Sequence, residues 1–405
     1  MSDDLDTTAG LSRRARRALP LMAGALAAIV VVTLVYLHPV FPAAHPVLRV
    51  APSPPPPPLL PEQYLVAYDF LTPTAGWALV EDGSTAPPRF WIFKTTDVAK
   101  HWQLQFTGSA GQPAAGALKI QFFDRNNGLA ALSGSGAVYR TSDGGAHWTA
   151  LTPPSFGYSS LYFSDRLHGW ILGTVLSPDQ RIATSQLFST SDAGDHWSAL
   201  PPPPAFLLGG KGGFSEAGFR GPNEGWMGGF AQQPTVHSTI DGGVTWQSHP
   251  LPVTVVGKGG FADGSAPLVE TTVSLLPGAG VLGVVLDQNA LPVGLTSFDG
   301  GSTWTRLSQP PGETQYSDFI FQDTFHWWAM RNGTLFKSSD AGQSWKQVAQ
   351  QLDEWDYVPQ VIDSKHAWGV MTAAVPTANL SRGTGLATTA DGGVHWNPVN
   401  VPRPS

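Results

Sequence analysis

Seven short segments of this 405-residue chain follow one template, Ser/Thr-x-Asp-x-Gly-x-x-Trp. Thr141-Ser142-Asp143-Gly144-Gly145-Ala146-His147-Trp148 is its clearest form. Related copies occupy 190–197, 239–246, 297–304, 338–345 and 389–396, and a weaker first copy, 95–102, has Ala99 in place of the glycine. The acids are Asp97, Asp143, Asp192, Asp241, Asp299, Asp340 and Asp391, spaced 41 to 58 residues apart. The indoles are Trp102, Trp148, Trp197, Trp246, Trp304, Trp345 and Trp396. A repeat of this length cannot bury its apolar surface alone, so the copies must stack on one another. It has room for four strands of about 5–6 residues with their turns. No amphipathic helical run follows residue 61. The expectation is an all-β fold.

A second element precedes most copies. It reads apolar-x-Asp-x-x-x-Gly-Trp, as in Phe163 to Trp170, and related segments end at Trp77, Leu129, Trp226, Trp328 and Trp368. In the fifth repeat only Val281 to Leu286 survives of it. Most of the chain's 15 tryptophans therefore sit at repeat positions, which makes them packing residues first.

The chemistry of the template is structural. A hairpin turn leaves backbone N–H groups without ladder partners, and a short carboxylate can accept from several of them. The Ser/Thr hydroxyl adds a local bond, and the glycine supplies a positive φ. The Trp lies beyond the turn and can bury a large apolar face. His101, His147, His196 and His395 stand just before it. Strand alternation places them on the surface opposite the Trp, too far apart to share a metal.

These segments resemble the Asp-boxes, or BNR repeats, of the sialidase superfamily. With the added Gly-Trp strand, residues 64–400 resemble the photosystem II assembly factor family called Ycf48 or Hcf136. That resemblance implies a seven-bladed β-propeller of four-stranded antiparallel blades with Asp-box hairpins. It also implies a non-enzymatic role in assembling a membrane complex through protein contacts. The alternative is a glycan-binding or glycoside-hydrolase propeller. Against a sialidase, the family's Phe/Tyr-Arg-Ile-Pro motif is absent, and Arg181-Ile182-Ala183 is the nearest string. No catalytic residue, metal site or cofactor is expected.

In such a blade the apolar-x-Asp segment is strand one and the Gly-Trp segment strand two. The stretch before the box is strand three, and the box Trp begins strand four. The one-to-two turns and the box turns then share one face, and longer, variable loops occupy the other. Those loops carry Arg181, Lys211, Lys258, Tyr316 and Arg382, with Trp355 and Tyr357 in the last connector. Variable loops on a rigid scaffold are the better place for binding, so these residues form the candidate binding face.

Composition narrows the partners and the address. Lys and Arg total 23 against 30 Asp and Glu, a net −7, which argues against a nucleic-acid binder. There is no cysteine, hence no disulfide framework, thiolate site or lipidated Cys. Arg13, Arg14, Arg16 and Arg17 precede a run, Ala18 to Leu37, with no charged side chain. As a helix that run spans about 30 Å, the hydrocarbon thickness, and the arginines keep the N-terminus cytoplasmic. The expected organisation is a basic cytoplasmic segment 1–17, a transmembrane signal anchor 18–38, a Pro-rich linker 39–61 and an extracytoplasmic propeller 62–405. Secretion after signal cleavage is the alternative. Pro54 to Pro58 make the linker a semi-rigid stalk. The expected partners are the membrane, through the N-terminal helix, and proteins or glycans outside the cytoplasm.

Overall fold

The computed structural model describes residues 59–85, 87–109, 118–133, 136–154, 158–176, 183–201, 214–231, 233–253, 269–286, 292–308, 319–331, 334–350, 355–373 and 384–404. All lie within the unit Pro57–Ser405. Every regular element among them is a strand, and no helix there is long and apolar enough to cross a membrane. The expected segments 1–17 and 18–38, and most of 39–61, fall outside the described residues. Leu60, placed in the linker by composition, belongs to the fold. It is buried and exchanges two backbone hydrogen bonds with Thr384, at 2.9 and 3.1 Å.

The strands follow one another in sets of four, each an antiparallel meander. The sets span 64–109, 119–151, 158–199, 214–250, 269–306, 319–350 and 355–399. Five are separate sheets, whereas the fourth and fifth share one eight-stranded sheet. There strand Glu224–Ala231 runs on to pair with Val269–Leu275, through Gly229↔Thr271 and Ala231↔Val269. A Cβ on Gly228 would lie 2.1 Å from the Thr271 carbonyl oxygen, so the approach requires glycine.

The Gly-Trp pair is one device with two halves. At or next to the end of strand one an aromatic residue lies across from a glycine at the start of strand two: Phe70 with Gly76, Phe122 with Gly128, Phe163 with Gly169, Phe219 with Gly225. The ring rests on the glycine, and a Cβ at Gly76 would come within 2.1 Å of Phe70. The following Trp covers the corresponding Phe of the next set. Trp77 stacks on Phe122 with ring centroids 3.6 Å apart, and Trp170 on Phe219 at 3.7 Å. Trp368 of the last set stacks on Phe70 of the first at 3.9 Å. Such a pair contributes about 0.5–1.5 kcal/mol beyond its area burial.

Cores form between successive sets. Leu79 and Ile92 pack with Ile120 and Phe122, and Trp328 and Leu335 pack with Ala367. Phe70, Val80 and Trp91 of the first set pack with Trp368, Leu386 and Val401 from the other end of the chain. Trp102 Nε1 donates to the Asn400 carbonyl, and Asn400 Nδ2 to the Lys100 carbonyl, both at 2.9 Å. The sheets thus close on themselves, which is the arrangement of a β-propeller.

Candidate functional site

Each template segment forms the turn between strands three and four. At 141–148, Thr141 Oγ1 donates to Asp143 Oδ1 at 2.9 Å and accepts from the Gly145 N–H at 3.0 Å. The same Oδ1 accepts from His147 N at 2.9 Å, and Oδ2 lies 2.6 Å from His147 Nδ1. The His147 N–H, then its imidazole, hold the Asp143 carboxyl down at about 2. The Thr245 and Thr303 side chains, then their N–H groups, do the same for Asp241 and Asp299. Sequence alone required one residue of positive φ in the turn. There are two, Gly144 at 74° and Gly145 at 96°, and Val98 and Ala99 hold that conformation at 61° and 54° in the first copy.

The histidines are not strand residues, as alternation suggested. His101, His147, His196 and His395 lie in the turns with side chains 80–89% exposed, and each Nδ1 sits 2.6–2.7 Å from the Oδ2 of its own Asp. Thr245, Thr303 and Ser344 meet the same oxygen of Asp241, Asp299 and Asp340 through a hydroxyl. The position before the Trp is therefore a hydrogen-bonding cap on the carboxylate. The box tryptophans are half-buried rather than deeply buried. Several turn their N–H back on their own glycine carbonyl, Trp148 on Gly145 and Trp246 on Gly243, at 3.1 and 3.0 Å. The most buried indoles are those of the Gly-Trp element, such as Trp77 and Trp368.

Within a set the two kinds of turn lie side by side. Gly144 N donates to Asn126 O, Gly242 N to Asn223 O and Gly392 N to Lys365 O, each at 2.8 Å. They make one face of short turns. Between the third and fourth sets this face holds a cleft of about 250 Å³, lined by His168, Trp170, Asp192, His196, Asp241 and Val244. Of the candidate binding face, Arg181, Lys211, Lys258, Tyr316 and Arg382 lie outside the described residues. Trp355 and Tyr357 belong to strand Trp355–Val361, paired with Ala373 and Met371, rather than to a connector.

A polar group on the strand-one segments escaped the sequence reading. Asp69, Gln121 and Gln360 stand opposite Trp77, Leu129 and Trp368 in register. Each grips the strand one of the next set. Gln360 Oε1 accepts from Phe70 N at 3.0 Å, Asp69 Oδ2 from Phe122 N at 2.5 Å, and Gln121 Nε2 donates to Phe163 O at 3.1 Å. Lys119 Nζ donates to Leu161 O at 3.1 Å and lies 5.2 Å over the Tyr162 ring. Burial raises the Asp69 carboxyl and lowers the Lys119 amine to about 8. The signal available in the sequence was a polar residue directly before the strand-one aromatic, as in Asp69-Phe70 and Gln121-Phe122. Among the described residues no group of three or more His, Asp or Glu is placed to hold a metal.

No family model matches this sequence, and no curated protein matches it. Solved structures do. The chain is similar to Ycf48 from Cyanidioschyzon merolae, with 15% identity, a TM-score of 0.48, and coverage of 82% of this chain and 97% of that one. It is similar to Ycf48 bound to a D1 peptide, with 16% identity, a TM-score of 0.46, and coverage of 71% and 81%. It is also similar to a puromycin-hydrolyzing peptidase of Mycobacterium tuberculosis, with 8% identity and a TM-score of 0.54, over 85% of this chain and 56% of that one. At these identities the likeness extends to the fold alone. The successive four-stranded antiparallel sheets, with the last packed against the first, are those of a β-propeller.

Proposed function

We propose that the chain is a membrane-anchored, extracytoplasmic β-propeller of seven blades, one per set of four strands, that binds and assembles protein partners without catalysis. Its template turns are read as Asp-boxes that fasten each blade. The observation that carries the reading is the state of the recurring acids. Asp143, Asp241 and Asp299 each accept from the hydroxyl that opens their turn and from an N–H four residues on, donors that keep the carboxyl low, which suits a fastener and not a general acid. The anchoring rests on the four arginines, the uncharged run and the proline stalk that precede the strands. Ycf48 with its bound D1 peptide is a protein of similar fold that holds a polypeptide. The loops that carry Arg181, Lys211, Lys258, Tyr316 and Arg382 remain the proposed binding face, together with Trp355 and Tyr357 on their strand.

A glycan array probed with the full chain, paired with photo-crosslinking from position 316 or 382 in native membranes, tests this. A protein adduct without a sugar hit supports it. A specific sugar hit removes it in favour of a glycan-binding propeller.

A further inference from the structure

The face of short turns is not uniform. In the fourth, fifth and sixth sets its turns are 221–223, 240–246, 276–280, 298–304, 322–326 and 339–345. These segments contain Asp241, Asp299, Asp323 and Asp340 but no Lys or Arg. Arg220 at their border is engaged by Glu224 and by the carbonyls of Leu276 and Gly280. Lys337 lies over the Trp328 ring at 4.0 Å, and the exposed Arg306 and Lys346 stand beyond the turns, on the strands that follow them. The other sets carry Lys100, Arg125, Arg166 and Lys365 in the same kinds of turn.

The acidic sector also carries exposed apolar side chains. Ile240 is 84% exposed, Phe325 55%, Val244 48% and Phe298 42%. Ile240 and Phe298 occupy the template position between Ser/Thr and Asp. The other copies place Thr96, Ser142, Ser191, Ser339 and Ala390 there, all exposed. A small residue satisfies that position, so folding does not ask for Ile or Phe. Phe298 and Phe325 lie with ring centroids 6.4 Å apart, joining the fifth and sixth sets, and Thr324 Oγ1 donates to Pro277 O at 2.6 Å beneath them. The caps of this sector are Thr245, Thr303 and Ser344, which leave the charge of Asp241, Asp299 and Asp340 uncompensated. Donors of their own turns occupy these carboxylates, so what they offer a partner is their negative charge rather than a free acceptor site.

We propose that this sector docks a protein segment in which Lys or Arg alternates with apolar side chains. The proposal rests on the protein-binding reading above and names a second surface for it. Charge selects the occupant. The acidic turns repel an anionic bilayer or an acidic segment, and the apolar tips supply contact area that a purely basic segment would leave bare.

The test uses the full chain in nanodiscs of zwitterionic lipid, with empty discs as reference. The probe is a short labelled peptide in which Lys alternates with Phe and Leu, compared with versions carrying Glu for Lys or Ser for Phe and Leu. Anionic vesicles are the fourth probe. Only the Lys-apolar peptide is expected to bind above reference, more weakly as salt rises. The double substitution Ile240→Ser and Phe298→Ser should weaken it by about tenfold with unchanged melting. Phe325→Ser, at a third exposed tip, is the second variant should the first melt early. Absence of binding, equal binding of the Glu version, capture by anionic vesicles or indifference to these substitutions overturns the proposal. The two readings fail separately. Indifference to the substitutions leaves protein binding at the variable-loop face intact, whereas a specific sugar hit on the array removes the reading of that face and leaves the peptide assay to decide this one.

Discussion

In the turn at 141–148 the carboxylate of Asp143 is capped by His147, and the exposed template position is Ser142. In the turn at 239–246 Asp241 is capped by Thr245, and that position is Ile240. Beneath, the two turns are alike. Gly145 N and Gly243 N each donate at 3.0 Å to the hydroxyl of Thr141 or Thr239. Buried hydroxyl and left-handed backbone fix the turn, so the exposed positions are free to set what each sector presents. One scaffold can thereby carry a histidine-capped sector and an acidic, apolar-tipped one.

The seam between the third and fourth sets separates these sectors, and Trp170 holds it. Its indole stacks on Phe219 and donates to the Gly242 carbonyl at 3.0 Å. Trp170→Ala should cost about 3–5 kcal/mol in chemical denaturation, as for other buried aromatics. A loss below about 1 kcal/mol would mean that the stacked indoles do not join the sets. The shared frame is tested next. Thr141→Val and Thr239→Val each leave a buried glycine N–H without its acceptor, at about 1–3 kcal/mol. Equal losses keep the two turns equivalent, and a loss at only one of them breaks the comparison.

Acid should move the two sectors in opposite directions. His237 and His249 are buried in the fourth set, and burial lowers both, His237 to about 4. Their protons bind the unfolded chain first, near 6.5, so the stability they leave intact is full above that value and drains between 6.5 and about 4. His196 has the reverse sign. Its hydrogen bond to Asp192 raises it, so its contribution is full below 6.5 and is lost as the pH rises through the higher folded value. Hydrogen exchange, corrected for intrinsic rate, should show protection falling at 236–250 and rising at 194–196 between pH 7.5 and 5.5. His249→Leu, which matches Leu151, Leu200 and Leu307 at the end of other sets, should reduce the fall.

The turns were legible in the sequence because their bonds are local. Thr141, Asp143, Gly145 and His147 complete one another within a few residues, so a recurring template states the geometry. The second positive φ was hidden because glycine, alanine and valine all occupy it. The histidine caps were misread because alternation was carried back from strand four into a turn, where it does not apply. The grips of Asp69, Gln121 and Gln360 were beyond reach for another reason. Each joins residues 42 to 290 positions apart, and only the stacking of sets brings them together. Gly228 likewise reveals its purpose only against Thr271 of the next set.

The smallest effect isolates backbone strain from surface character. The first copy, 95–102, has the His101 cap and the Thr95 hydroxyl of its sector, yet Val98 and Ala99 hold the left-handed pair of positions. A β-branched residue there is costly, whereas glycine adopts that region readily but gives up more chain entropy on folding. Val98→Gly should therefore stabilise the chain by about 0.5–1 kcal/mol, the left-handed penalty less the entropy of glycine. Gly144→Val, the reverse change in the second set, should destabilise by more, because a Cβ at Gly144 would also lie 2.8 Å from the Arg125 carbonyl oxygen. If Val98→Gly destabilises instead, the side chain of Val98, which packs against the core shared by the first and last sets, outweighs the strain. The first turn would then be held by packing across the closure rather than by its own bonds, unlike the turns at 141–148 and 239–246.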